Sequence, residues 1–200
     1  FYAYNVALAR EFAALLGNAD DAARFEALGE RIAEAFNARY LEPETGRYGA
    51  GTQASQAFAL YMNLVPEPVR ANALEVLVND ITAHDGHLST GIFGTKYMLD
   101  VLSAMGRHDV ACAITSARTF PGWGYMLDNG ATTLWEHWEG SDNTFSNNHP
   151  MFGSVSEWFY KHVAGIRPAP DAVGCDRVII APGPPQPGLD WAEVSYDSVR

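Results

Sequence analysis

The chain is 200 residues long, the length of one domain or of one domain and the start of another. Its 13 Lys+Arg against 24 Asp+Glu leave a formal charge of −11, which excludes DNA or RNA as a partner, because binding phosphates requires clustered cations. Hydrophobic residues at 48% exclude a disordered chain. Charge or Gly nevertheless breaks every apolar stretch well short of the roughly 20 residues that a membrane span needs.

In chain order, Phe1 to Leu16 has apolar residues at helical spacing (Val6, Leu8, Ala9, Phe12, Leu15, Leu16), and Gly17 follows as a stop. Asn18 and Asp20 offer N-caps for a second helix through Phe25, Leu28, Ile32 and Phe36, ending near Tyr40 before the turn Pro43-Glu44-Thr45-Gly46. Gln53 to Asn63 and Pro66 to Thr82 form a second pair, with Pro66 suited to a first helical turn. Thr90 to Met105 and Asp109 to Phe120 form a third, separated by Gly106. A short helix from Thr133 to Glu139 and a longer one from Gly153 to Ala164 complete the helical region. Short loops between consecutive helices predict antiparallel hairpins, and no fixed-period repeat points to a solenoid.

Composition changes after Gly165. Pro168, Pro170, Pro182, Pro184, Pro185 and Pro187 exclude a continuing helix. Arg177 to Ala181 and the alternating Trp191 to Tyr196 read as β-strands. Two strands alone are marginal in water, so they are expected to lean on other structure. The start at Phe1 and the stop at Arg200, within a strand-like pattern, suggest a piece of something longer.

Aromatic and acidic residues concentrate between Phe120 and Tyr160. Trp123, Trp135, Trp138 and Trp158, with Tyr125, Phe145 and Phe152, alternate with Asp128, Glu136, Glu139, Asp142, Glu157, His137, His149 and Asn147-Asn148. Loops of this composition suit a carbohydrate site, where aromatic faces stack on sugar C–H groups and carboxylates or amides bind hydroxyls. A carboxylate there is also equipped for acid–base work at a glycosidic bond.

Plainer readings stand beside this one. Thr133-Leu134-Trp135-Glu136 matches a capping box, so Glu136 either bonds a helix-start N–H or serves a site. Ser154-Val155-Ser156-Glu157 matches the same pattern, and there the capping reading is favoured. Trp135 and Trp138, three apart, predict that at least one belongs to the core. His149 is set in a polar loop, where a histidine is often only surface decoration. His84-Asp85-Gly86-His87 reads as a turn with no third ligand at metal spacing, so no metal is expected. There is no phosphate loop at Gly91 to Gly94 and no nucleophile elbow. Cys112 and Cys175 are too few for a disulfide framework. They fit a reducing, cytoplasmic compartment while leaving secretion open.

Several ordered blocks carry a family resemblance. They are His87-Leu88-Ser89-Thr90-Gly91-Ile92-Phe93-Gly94-Thr95, Pro121 through Leu127, Gly130-Ala131-Thr132-Thr133-Leu134-Trp135-Glu136-His137-Trp138, Asn148-His149, and Gly153-Ser154-Val155 through Glu157-Trp158 to Ile166. With them the chain resembles the C-terminal part of the catalytic domain of bacterial α-L-rhamnosidases, glycoside hydrolase family seventy-eight. The resemblance implies a mainly α fold: a partial (α/α)6 toroid of antiparallel helix hairpins over residues 1–166, then a linker and the first strands of a β-sandwich domain over 167–200. It implies inverting removal of terminal α-L-rhamnose from glycosides or polysaccharides, without a cofactor. Glu136 would be the general base, and His149 with Asn148 would contact the sugar, joined by Trp135 and Trp123 as candidate contacts. The family's general acid lies upstream of these blocks, and the loop between Glu136 and His149 is shorter than is usual in the family. A non-catalytic glycan-binding module, a helical scaffold and another carbohydrate-active toroid are the alternative readings.

Overall fold

In a computed structural model the described residues are 1–140, 146–170 and 172–197. They are mainly helical and form two compact units, Phe1–Leu77 and Val78–Arg200. No helix among them is long and apolar enough to cross a membrane.

The first unit opens with a helix hairpin, α1 (Tyr2–Leu15) and α2 (Ala19–Tyr40). Gly17, at φ +72°, supplies the left-handed stop that a side chain would resist. Asn18 then caps α2, its side chain accepting from the Asp21 N–H at 3.1 Å. The hairpin is antiparallel: Val6 faces Gly29, and Arg10 reaches Glu26 at 3.5 Å. The turn-rich Pro43 to Gly46 closes a two-residue ladder, β1 (Leu41–Glu42) against β2 (Arg47–Tyr48). α3 (Gln53–Tyr61) follows, capped by Thr52. Its fully buried Gln56 ties the ladder down, accepting from the Tyr48 N–H at 2.6 Å and donating to the Gly46 and Ala73 carbonyls at 3.1 and 3.0 Å. Pro66 precedes a short 3-10 turn, Glu67–Val69, which leads into α4 (Arg70–Ala83).

The second unit contains α5 (Ile92–Ala104) and α6 (His108–Ser116), turned by Gly106 at φ +83°. Met98, Leu99, Val101, Leu102, Ala111 and Ile114 form their buried face. His87 reaches from its turn to the Thr119 hydroxyl at 2.7 Å, Nε2 to Oγ1. α7 (Trp123–Asp128) is a helix where the sequence suggested only a loop. It fits tightly because residue 124 is glycine: a Cβ there would stand 2.5 Å from the Ala117 carbonyl oxygen.

The expected helix from Thr133 to Glu139 is absent, because this segment spends its polar groups on residues 146–149 instead of on itself. α8 (Ser154–Trp158) is shorter than expected and passes into a π turn, Phe159–Val163. No capping box forms at its start. The Ser154 hydroxyl is buried without a partner, and Glu157 accepts from Lys96 Nζ of α5 at 2.6 Å. The π turn presents two successive side chains to one carboxylate: Lys161 and His162 each reach Asp100 at 2.8 Å. β3 (Ile166–Pro168) pairs antiparallel with β4 (Val178–Ile180), with Arg167 opposite Ile179. Residues 191–197 carry no strand, although their alternation suggested one: no partner ladder is present, and Trp191 is 76% exposed.

Candidate active site

Glu136 and His149 lie on two segments that run past each other. The Glu136 N–H donates to the Ser146 carbonyl at 2.8 Å, and the His149 N–H donates to the Leu134 carbonyl at 2.8 Å. The Thr133 hydroxyl also bonds the Asn147 carbonyl. The polar groups that a capping box would have used therefore hold this pairing. Glu136 is half-buried, and its carboxylate Oε2 accepts from the Ser146 N–H at 2.8 Å. The helix-cap reading of Glu136 has no helix to cap.

His149 is half-buried and caps the 3-10 turn Pro150–Gly153, its Nδ1 accepting from the Met151 N–H at 3.4 Å. In a neutral ring this leaves the proton on Nε2, which becomes a donor. Asn148 is exposed, and its N–H donates to the Ser146 hydroxyl at 3.0 Å. Trp135 is half-buried with its ring against Gly140, where a Cβ would stand 3.0 Å from the indole. Asp142 and Phe145, which the sequence added to this loop, lie outside the described residues.

The other tryptophans form a floor. Trp138 is 6% exposed and stacks on Phe152 with ring centroids 3.8 Å apart, its indole N–H donating to the Thr90 carbonyl at 2.8 Å. Trp123, 8% exposed, meets Trp138 edge-on at 5.1 Å and donates to the Phe152 carbonyl at 3.1 Å. Buried indoles need such partners, and both have one. The expectation that one of Trp135 and Trp138 is core is met by Trp138. Trp123 lies within this cluster, with its N–H already engaged. Sequence reasoning did not single out Ser146, Thr90 or Leu134. Their parts rest on backbone N–H and carbonyl groups, which every such residue carries and which leave no periodic signal.

Four groups with displaced acidity lie in α5 and α6, Asp100, His108, Asp109 and Cys112, and two of them are buried against other side chains. Burial alone pushes the Asp100 carboxyl up, but hydrogen bonds from His162 and Lys161, with the charge of each, outweigh it and hold Asp100 below the usual carboxylate value. Burial, then the neighbouring His162, lowers His108, which stacks on Trp158 at 5.4 Å and bonds the Ser103 hydroxyl at 3.1 Å. No group of three or more His, Cys, Asp or Glu among the described residues is arranged to hold a metal ion.

The family described as the bacterial alpha-L-rhamnosidase 6 hairpin glycosidase domain matches residues 1–163. A protein of Streptomyces avermitilis named alpha-L-rhamnosidase is 42% identical over 92% of this chain, and one of Alteromonas sp. is 35% identical over 91%. The chain spans only about a fifth of their length, 18% and 20%. A crystal structure of the Streptomyces avermitilis alpha-L-rhamnosidase complexed with L-rhamnose superposes with a TM-score of 0.85 at 40% identity, covering 92% of this chain and 18% of that one.

Proposed function

The chain belongs to the bacterial α-L-rhamnosidase six-hairpin glycosidase domain family, and from that premise we propose that it is part of an enzyme that removes terminal α-L-rhamnose from glycosides or polysaccharides with inversion. In this reading residues 1–166 are the C-terminal portion of an (α/α)6 catalytic toroid, and 167–200 are a linker and the start of a β domain. Glu136 is the general base. As a water oxygen bonds to the anomeric carbon and the bond to the aglycone oxygen breaks, Glu136 takes the water's proton. The departing oxygen takes a proton from a carboxylic acid contributed from outside this chain, since inversion needs two carboxyl groups about 6.5–9.5 Å apart. His149 Nε2, Asn148 and the Trp135 ring face the sugar, and Trp123 supports them through the aromatic floor. The chemistry calls for no cofactor.

The observation that carries this reading is the pairing of residues 133–136 with 146–149, which brings the half-buried Glu136 and His149 onto two adjoining stretches of backbone. The test is release of rhamnose from an aryl rhamnoside by the full-length gene product. Glu136→Gln is expected to lower kcat by roughly 10²–10⁴-fold, the usual worth of a general base. A rate within a few-fold of the parent removes Glu136 from that role. Rhamnose binding with no hydrolysis by the parent would make the protein a glycan-binding module.

A further inference from the structure

Resting on the reading of Glu136 as base, we propose that the backbone N–H of Ser146 is the positioning group that aims its carboxylate. Residues facing each other as a hydrogen-bonded antiparallel pair exchange both N–H···O=C bonds. Only half of that exchange is made here. Glu136 gives its N–H to the Ser146 carbonyl, but the Ser146 N–H goes to the Glu136 side chain, at Oε2. The diversion coincides with a slip in register. Ser146 faces Glu136, yet His149, rather than Asn148, bonds the Leu134 carbonyl. One residue on the 146–149 side is therefore extra, in the manner of a β-bulge, a device that re-aims side chains near functional sites. The Ser146 hydroxyl accepts the N–H of Asn148 within that bulge, at 3.0 Å.

All three polar groups of Ser146 are thus committed, two to Glu136 and one to the Asn148-His149 stretch. A hydrogen bond to a charged acceptor is short, directional and stronger than a neutral one. With Oε2 held, the remaining oxygen, Oε1, is fixed in direction and receives the proton of the attacking water. Loss of the N–H leaves the carboxylate free to rotate, and misplacement of a reacting group by about 1 Å can cost on the order of 10²-fold.

The test compares Ser146→Ala, which removes only the hydroxyl, with Ser146→Pro, which also removes the N–H, in the full-length gene product. Ser146→Ala keeps the N–H and loses the hydroxyl that holds the Asn148 N–H, so it is the reference against which the proline variant is read. Ser146→Pro is expected to lower kcat, counted per folded molecule by active-fraction measurement, by about 10²-fold relative to Ser146→Ala with KM within about 3-fold; loss of folded enzyme alone would leave kcat per folded molecule unchanged. A proline variant that turns over within about 3-fold of the alanine variant overturns the proposal. If instead Glu136→Gln keeps its activity, the base assignment itself has failed, whatever Ser146 does. Should the proline variant not fold, amide hydrogen exchange in Glu136→Ala decides the matter. Exchange at the Ser146 N–H is expected to quicken about 10-fold or more while the Asn148 N–H keeps its rate, and an unchanged Ser146 rate overturns the proposal.

Discussion

Replacing Trp138 separates the two ways in which the aromatic floor is held. The indole contributes a buried ring stacked 3.8 Å from Phe152 and an N–H bond of 2.8 Å to the Thr90 carbonyl. Trp138→Phe keeps a ring for the stack but takes the donor from Thr90, and a buried polar group left unpaired costs roughly 1–3 kcal/mol. Trp138→Ala loses the ring as well, adding about 3–5 kcal/mol for the large-to-small change in a packed core. In a chain of two compact units a single unfolding free energy is poorly defined, so a local reporter is preferable. The Trp123 indole proton is suited to this, because it is buried and bonded to the Phe152 carbonyl beside the mutated ring. At about 1.4 kcal/mol per tenfold, its exchange should quicken about 5- to 150-fold in Trp138→Phe. In Trp138→Ala it should quicken by more than 10²-fold, up to the limit set by openings already present. A Trp123 proton whose exchange ignores Trp138→Ala would refute the coupling of the two rings. Equal effects of Phe and Ala would refute the separate worth of the stack.

Two other perturbations follow from buried polar groups. Gln56→Leu leaves the Tyr48 N–H and the Gly46 carbonyl without the partner Gln56 supplies, so at roughly 1–3 kcal/mol for each buried group it should lower the thermal midpoint markedly; an unchanged midpoint refutes the clamp. Asp100, held below the ordinary carboxylate value in the folded chain, adds stability that is present above about pH 4 and is lost as pH falls through its folded value. Asp100→Asn should therefore unfold at lower temperature than the parent at pH 7, with the gap narrowing in acid, and parallel midpoint-versus-pH curves would refute this.

Much of the helical frame was legible in the sequence because its signals are local. Gly17 and Asn18 mark a stop and a start through φ and one side-chain bond, and α1 and α2 begin and end within a residue or two of where those signals fall. Local signals misled at Thr133 to Glu139. The capping-box letters are present there, but Thr133 and Glu136 bond residues 146 and 147, and no propensity within seven residues encodes a partner ten further on. The same holds for Glu157, which looked like a cap and pairs with Lys96, 61 residues away.

By itself the sequence determined the residue types available to the site: a carboxylate at 136, an imidazole at 149, and tryptophans between and around them. It also determined that acidic chemistry, rather than phosphate binding, suits a chain of net charge −11. Tertiary structure decided which of those residues are floor and which face outward. Trp138 and Trp123 are buried with their N–H groups on the carbonyls of Thr90 and Phe152, while Trp135 is half-buried with its ring against Gly140. It also decided the aim of Glu136. That aim depends on one backbone N–H diverted from a carbonyl to a side chain by a one-residue slip, and a slip in pairing exists only once both segments are folded together.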